Sequence, residues 1–443
     1  MPPVAAAATA NRHPPLPVPE AGPDDARRWV VEHLTGLFAE DPAEAMPSPR
    51  YRGGQAAADA ALAAFGVAGY ASRRNEAYPV PRRGASGLSP YIRHGLLTLP
   101  EVWAAVAGGP AKDVKKFRDE LLWQEYARHW YARLGRATGA PVRHRLDDLP
   151  GPPGEPLAGS LSGETDLACL ELTVGELEED GWLVNQTRMW LASHWTIRLG
   201  RPWTEGEDWF FRHLLDGSRA ANRLGWQWVT AHGSSRPYGF SRWQVERRAP
   251  GLCASCELGH ACPIDTWPDD PTLVSIVTDP RLARDDDPRA TAGPAEVERS
   301  PGGAVAGTGG PDRPEAVWLT AESLASSDPA LAANPDLPAV FVFDRTLLAR
   351  LQLSAKRLVF LVETLSELAG ERPVELHLGD PVEVLAGRTL AATFAPVPGW
   401  RRRAAHLDVV ETHPWPWLRR PGAGPVGSFS AWRKGLRTPE RPE

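Results

Sequence analysis

Long hydrophobic runs are missing from this sequence of 443 residues. No stretch of about 18 or more apolar residues occurs, whereas a membrane-spanning helix needs about 20. The opening segment also lacks a basic start and is broken by prolines, so it does not have the pattern of a secretory signal. The sequence therefore predicts a cytoplasmic protein without a membrane partner.

Cysteine is scarce as well, with 4 in the chain, too few for a disulfide framework at this length. Charge of neither sign dominates: Lys+Arg 49 against Asp+Glu 55 gives a net charge of −6. That balance excludes a protein that is polybasic overall and leaves only a local patch for binding a polyanion. Tryptophan, by contrast, is frequent, and 18 such side chains need extensive burial or a function.

The sequence pattern divides the chain into four regions. Residues 1–25 are rich in Ala and Pro, which predicts a disordered tail, and residues 26–283 repeat apolar positions at helical spacing. Residues 284–314 carry acidic, Gly and Pro clusters, which predicts a flexible linker. In residues 315–435, short apolar runs alternate with amphipathic segments. The predicted fold class is α plus α/β: an all-helical domain followed by a smaller parallel α/β domain.

Two segments of the helical region have ordinary explanations when taken alone. Residues 84–91, GASGLSPY, open a helix with small and hydroxyl residues, which suits either a phosphate site or a Ser-capped helix. Glu120 and Trp123 lie one turn apart on one helix face, as in a core stripe beside a solvated acid.

Two further segments are not generic helix sequences. Residues 181–189, GWLVNQTRM, place Asn185, Arg188 and Met189 on one face. Residues 216–228, DGSRAANRLGWQW, bring an acid, an amide and two tryptophans within a short span.

In this order the four segments resemble the FAD-binding domain of the photolyase/cryptochrome family, whose pattern reads GTSRLSPYLRFG, ELxWREF, GWMHNRxRM and DGDLAANNGGWQW. The resemblance covers roughly residues 52–250. It implies FAD as cofactor, with Asn222 facing flavin N5. The residues that match flavin-binding positions are Tyr70, Ser86, Leu88, Ser89, Asn185, Arg188, Asp216 and Asn222.

The same resemblance implies DNA containing pyrimidine dimers as the partner and a monomeric enzyme. The residues that match lesion-facing positions are Glu120, Trp123, Met189 and Trp228. Trp226 and Trp203 match the first two members of the tryptophan wire that reduces the flavin, and Trp195 and Trp209 are candidates for the third. The predicted catalytic residues are Glu120, Asn222, Trp226 and Trp203.

The resemblance predicts a lyase that repairs cyclobutane pyrimidine dimers by light-driven electron transfer from reduced FAD. Two alternatives stay open. Ala85 and Gly87 replace a Thr and an Arg of the family's phosphate loop. These departures also fit a cryptochrome-like blue-light sensor or a flavoprotein without repair. The third interpretation is a helical scaffold that holds zinc and no flavin.

Three of the four cysteines, Cys253, Cys256 and Cys262, are crowded together, and Cys169 lies upstream. Their spacing alone allows zinc, an iron–sulfur cluster or plain buried thiols. A bacterial branch of the resembled family carries a [4Fe–4S] cluster on similarly placed cysteines, so the resemblance implies a second cofactor on these four residues. The His pair of (6-4) enzymes in that branch is replaced by Val184-Asn185, which favours cyclobutane dimers.

The C-terminal region resembles the N-terminal domain of the same family in residues 316–319, 328–333, 339–344 and 379–381. That domain ordinarily precedes the flavin domain, so this resemblance implies a circularly permuted chain. The sequence shows no antenna pocket, and the antenna chromophore is unknown.

Overall fold

The computed structural model describes residues 14–20, 22–147, 166–267, 271–300 and 313–436. Most of the predicted tail, residues 1–13, and part of the predicted linker, residues 301–312, lie outside this part of the chain. Within it, no helix combines the length and the hydropathy that a bilayer crossing requires.

Helices dominate the chain up to residue 248. In chain order they are α1 (Pro23–Leu34), α2 (Gln55–Ala64), α3 (Tyr70–Arg73), α4 (Ser89–Arg93), α5 (Leu99–Ala105), α6 (Ala111–Leu134), α7 (Ala168–Gly175), α8 (Asn185–Ser193), α9 (Trp203–His213), α10 (Arg219–Val229) and α11 (Arg242–Arg248). The second half adds α12 (Pro288–Ala292), α13 (Pro329–Ala333), α14 (Arg345–Leu351), α15 (Ala355–Ala369), α16 (Pro381–Val384), α17 (Pro398–Ala404) and α18 (Phe429–Gly435).

The strands form two sheets. In chain order they are β1 (His144–Asp147), β2 (Thr272–Ser275), β3 (Glu298–Arg299), β4 (Ala316–Leu319), β5 (Ala339–Asp344), β6 (Val374–Gly379), β7 (Thr389–Thr393) and β8 (Asp408–His413). β1 and β2 pair antiparallel, a small exception to the predicted all-helical region. The larger sheet has the order β3-β8-β7-β4-β5-β6 and is parallel except for β3 at one edge.

Local sequence explains why these elements form. Thr98 caps α5 in a reciprocal pair with Glu101, which satisfies two backbone donors at the helix start. α6 buries Val114, Phe117 and Leu121 at three-to-four spacing, so one face of this helix belongs to the core. All four residues of β4 are buried, as expected of a central parallel strand covered on both faces. The predicted fold class is confirmed.

Within residues 284–314, predicted as a flexible linker, the structure places α12 at residues 288–292 and β3 at residues 298–299. β3 pairs with β8, and the Arg299 guanidinium contacts the Glu411 carboxylate at 3.1 Å. This pairing satisfies backbone groups that would otherwise be open on the β8 edge, a gain that composition does not reveal. Within residues 1–25, predicted as a disordered tail, Leu16 N–H donates to Leu376 O at 2.7 Å.

The two predicted domains share one hydrophobic core. The largest cluster of buried side chains joins Trp29 of α1, Leu97 and Leu121 of the helical region, and Phe341 and Phe360 of the α/β region. α1 packs along α15, although the sequence assigned these two helices to different domains. The boundary visible in the sequence therefore crosses this largest cluster, while two further clusters each lie within one region.

Candidate functional site

The turn at Asp216-Gly217-Ser218 is the centre of the candidate flavin site. Arg188, on α8, donates from Nη2 to Asp216 Oδ2 at 2.7 Å and from Nε to Leu183 O at 3.0 Å. Asp216 is buried, and its other carboxylate oxygen has no hydrogen-bond partner among the described residues. Two residues matched to flavin positions are thus brought together, with one buried acceptor left over for a ligand.

Asn222 lies on the first turns of α10, directly after this turn. Its side chain is buried, and its amide nitrogen has no partner within the described part of the chain. A buried polar atom without a partner is costly unless a ligand or water satisfies it. Asp216 and Asn222 therefore offer an acceptor and a donor of the kind that the polar edge of a flavin needs.

The predicted phosphate loop contacts the segment that precedes α8. Trp182 Nε1 donates to Ser89 Oγ at 2.9 Å, and Leu88, fully buried, precedes α4. Ser86 Oγ accepts from Leu88 N at 3.4 Å. Leu88 is the N-cap of α4 and no side chain caps this helix, while Ser86 and Ser89 are only partly buried.

Tyr51 beside this loop was missed by sequence reasoning. Gly87 has φ +69°, and a Cβ there would lie 3.2 Å from the Tyr51 hydroxyl. That hydroxyl is buried without a partner among the described residues, and burial raises its pKa. Tyr51 lies just ahead of the Gly53-Gly54 pair, which is the one feature of the sequence that could have drawn attention to it.

Two other residues matched to flavin positions lie in different surroundings. Tyr70 is buried at the start of α3, and its ring meets Phe117 edge-on at 4.9 Å. Asn185 begins α8 and is exposed, because the first residue of this helix points away from the packed face. Their roles toward a flavin stay predictions.

The residues matched to lesion-facing positions lie at or near the surface. Glu120 is partly exposed and contacts Arg74 at 3.2 Å and Lys116 at 2.8 Å. Met189 is half-buried, and Trp228 is 42% exposed. The Trp228 ring meets Tyr238 at 5.8 Å with an interplanar angle of 39°, and its exposed part offers a surface on which a base can stack.

Trp123 differs from Trp228 because its neighbouring ring is stacked nearly parallel on one of its faces. Phe429 of α18 stacks on it at 4.0 Å with an interplanar angle of 10°. Arg433 fixes α18 by an ion pair to Asp119 at 2.8 Å. The face of Trp123 toward α18 is therefore closed to a base in this structure.

The tryptophans form a chain of ring contacts. Trp226 meets Phe210 at 5.1 Å, Phe210 meets Trp209 at 6.0 Å, and Trp209 stacks on Trp195 at 5.8 Å. Trp203 contacts His232 at 5.8 Å. Gly206, one turn from both Trp203 and Trp209, lets Trp226 pack against the backbone of α9, since a Cβ there would lie 2.2 Å from its ring.

The four cysteines line one cavity between α7 and the segment after α11. Burial, and then the nearby thiols of Cys253, Cys256 and Cys262, raise the pKa of Cys169 to about 12. The sequence thus identified residues that the fold brings together. In the described residues, however, no group of three or more His, Cys, Asp or Glu is arranged to hold a metal ion.

A cavity of about 240 Å³ lies between the helical region and the α/β region. Its lining includes Arg128, Glu322 and Trp415, and it adjoins the carboxyl end of β4. The strand order reverses between β4 and β7, and ligand crevices in open parallel sheets occur at such a reversal. Sequence reasoning missed this cavity because it could not order the strands.

Comparison with known proteins identifies the helical region. Residues 117–246 match the family described as the FAD binding domain of DNA photolyase. This segment contains most of α6, the Arg188–Asp216 pair and Asn222. This part of the chain is similar to the photolyase/cryptochrome family. The resemblance drawn from the four segments is confirmed.

Curated relatives in this family are deoxyribodipyrimidine photo-lyases. The chain is 32% identical to that of Thermus thermophilus over 51% of this chain and 52% of the relative. It is 29% identical to that of a Synechococcus species over 49% of each. The chain thus spans about half the length of the curated relatives it matches.

Solved structures with similarity include a bacterial class III photolyase from Agrobacterium tumefaciens. It is 25% identical, with a TM-score of 0.33 and coverage of 40% of this chain and 37% of that chain. A Synechocystis cryptochrome is 20% identical, with a TM-score of 0.41 and coverage of 48% of this chain and 46% of that chain.

Proposed function

We propose that this protein binds FAD and uses it for light-driven repair of cyclobutane pyrimidine dimers in DNA. The main supporting observation is that two buried polar atoms, Asp216 Oδ1 and Asn222 Nδ2, have no hydrogen-bond partner among the described residues. Both lie in the segment that matches the FAD binding domain of DNA photolyase. When bound and reduced, the flavin supplies the light-excited electron that splits a dimer.

The residues around this site have separable roles. Arg188 holds Asp216 at 2.7 Å and adds positive charge, which favours a reduced, anionic ligand. Asn222 supplies a buried donor from α10. Glu120 and Trp228, near the surface, would read a base edge and stack on a base flipped out of the duplex. Trp226 and Trp203 would relay the electrons that reduce the flavin, with Trp195 or Trp209 as the third member.

The flavin assignment has a direct test. Asn222→Leu removes the unpaired donor and keeps a similar side-chain volume, so the purified variant should retain less FAD than the wild type. Gln227→Leu is the matched control, because this equally buried amide on the same helix donates to Thr138 O and Ala140 O, both at 2.8 Å. Equal FAD content in wild type and Asn222→Leu would contradict the assignment.

One observation favours a second candidate, a blue-light sensor or a flavoprotein without repair. Phe429 closes one face of Trp123, a residue matched to the lesion-facing positions. A protein that no longer binds lesions has no need to keep that face open. Flavin reduction in blue light without dimer loss in irradiated DNA would favour this candidate.

We also propose a [4Fe–4S] cluster on Cys169, Cys253, Cys256 and Cys262. It is supported by the lining of a single cavity by all four thiols and by the chemistry of the donor set. Anaerobically purified protein should contain about four irons per chain, and Cys262→Ala should lose them. Zinc in place of iron would support a structural zinc site instead.

We further propose that the order of the two regions is a circular permutation of the family's order. Tyr126 of α6 donates to Val426 O at 2.8 Å, so the end of the α/β region returns to the helical region. A chain that begins with residues 313–436 and continues through a flexible link into residues 14–300 should then bind FAD as the wild type does. Failure of that rearranged chain to fold would contradict the proposal.

A further inference from the structure

The first turn of α15 lies against the flavin-binding segments, although α15 follows β5 in the α/β region. Ser354 N donates to Arg212 O, at the end of α9, at 2.9 Å. A Cβ on Gly181, which precedes α8, would lie 2.9 Å from Lys356 Cδ. The α/β region therefore contacts the starts of both segments that carry the Arg188–Asp216 pair.

Arg357 makes the most direct of these contacts. Its side chain is buried, and its guanidinium donates to Phe211 O and, at 3.2 Å, to Gly217 O. It also lies 4.8 Å from the centre of the Phe211 ring. A Cβ on Gly217 would lie 2.7 Å from Arg357 Nη1, so the guanidinium packs on the backbone of the turn itself.

Around this turn, the arginine side chains outnumber the carboxylates that pair with them. Arg188 pairs with Asp216, and Arg93 donates to Gly217 O at 2.8 Å while pairing with Glu322 at 2.9 Å. Arg357 has no carboxylate within ion-pair distance in the described residues, and burial lowers its pKa to about 9 while the Asp216 charge opposes that shift. A buried cation of this kind costs free energy, and an anionic ligand would offset that cost.

We propose that Arg357 is a positioning residue of the flavin site. It holds the Gly217 carbonyl and thereby fixes the positions of Asp216 and of the first turn of α10. This inference rests on the proposed FAD site and not on dimer repair. It assigns the α/β region a part in flavin binding, because Arg357, one of the two arginines that donate to Gly217 O, comes from that region.

The test compares three purified full-length variants. Arg357→Gln removes the charge and the fork of donors; Arg357→Lys keeps the charge alone. Arg133→Gln is the control, since Arg133 is similarly buried, donates to Gly424 O and Gly422 O away from the turn, and pairs with Asp285 at 3.2 Å. The measurements are the FAD dissociation constant, the reduction potential of bound flavin and the far-ultraviolet circular dichroism.

Arg357→Gln should bind FAD about tenfold more weakly, which corresponds to about 1.4 kcal/mol, and should shift the reduction potential to more negative values. Arg357→Lys should weaken binding but hold the potential near that of the wild type, because an ammonium restores charge without the two-carbonyl fork. Arg133→Gln should change neither property.

Identical affinity and potential in Arg357→Gln and Arg133→Gln would overturn the proposal. A wild-type protein that binds no FAD would overturn both the proposal and the proposed function. A wild type that binds FAD and repairs no dimers would contradict the proposed repair function and leave the Arg357 proposal standing. Neither the FAD affinity nor the reduction potential of the flavin depends on a DNA substrate.

Discussion

At the residue scale, the pair of Arg188 and Asp216 carries the candidate flavin site. Arg188→Met leaves a buried carboxylate without its charged donor. The free energy of unfolding should fall by about 2 kcal/mol, the scale for a hydrogen bond between charged groups. Urea unfolding measures this loss, and FAD content should fall with it. An unchanged FAD content would mean that Asp216 does not depend on Arg188 for its orientation.

Glu125 gives a pH dependence that is independent of any cofactor. It is fully buried on α6, accepts from Arg419 N at 2.7 Å, and burial raises its pKa from 4.5 to about 7. Because the folded pKa is above the unfolded one, the stabilisation is complete below about pH 4.5 and is lost as the pH rises through about 7.

This shift corresponds to roughly 3 kcal/mol of unfolding free energy. Urea titrations at about pH 5 and about pH 8 should show the wild type less stable at the higher pH. Glu125→Gln should remove most of that difference, because an amide does not ionise. The same difference in the variant would show that Glu125 is not its source.

At the element scale, α18 controls access to Trp123. Phe429→Ala removes the ring stacked on Trp123, a contact worth about 1 kcal/mol beyond its buried area. If Trp123 is a lesion platform, this variant should bind dimer-containing DNA more tightly, and Trp123→Ala should bind it about 1–3 kcal/mol more weakly. Fluorescence anisotropy with irradiated and unirradiated oligonucleotides measures both effects. Unchanged lesion binding in both variants would show that Trp123 is a core residue.

The sequence predicted the elements better than their mutual contacts. The segments that hold Arg188, Asp216 and Asn222 were found because their residues are close along the chain and follow a known family pattern. Phe429 on Trp123 and Arg357 on Gly217 could not be predicted, since each contact joins residues far apart in the chain. Such contacts depend on how helices pack, which periodicity does not specify.

At the scale of the whole molecule, the shared core predicts that the two regions unfold together. Phe341 and Phe360 of the α/β region pack in the same cluster as Leu97 and Leu121 of the helical region. Two regions that share a core lose each other's stabilisation when either unfolds. Differential scanning calorimetry should show one cooperative transition that includes loss of bound flavin. Two separate transitions, with flavin lost in only one, would contradict a common core.

The most direct test of the central claim is a count of cyclobutane dimers in ultraviolet-treated DNA incubated with the reduced protein in blue light and in darkness. The flavin spectrum of the same sample confirms that the cofactor is present and reduced. Light-driven repair predicts that dimers disappear in light and persist in darkness, and that Asn222→Leu removes the difference. Equal dimer counts in light and darkness, with reduced flavin confirmed, would contradict the proposed function.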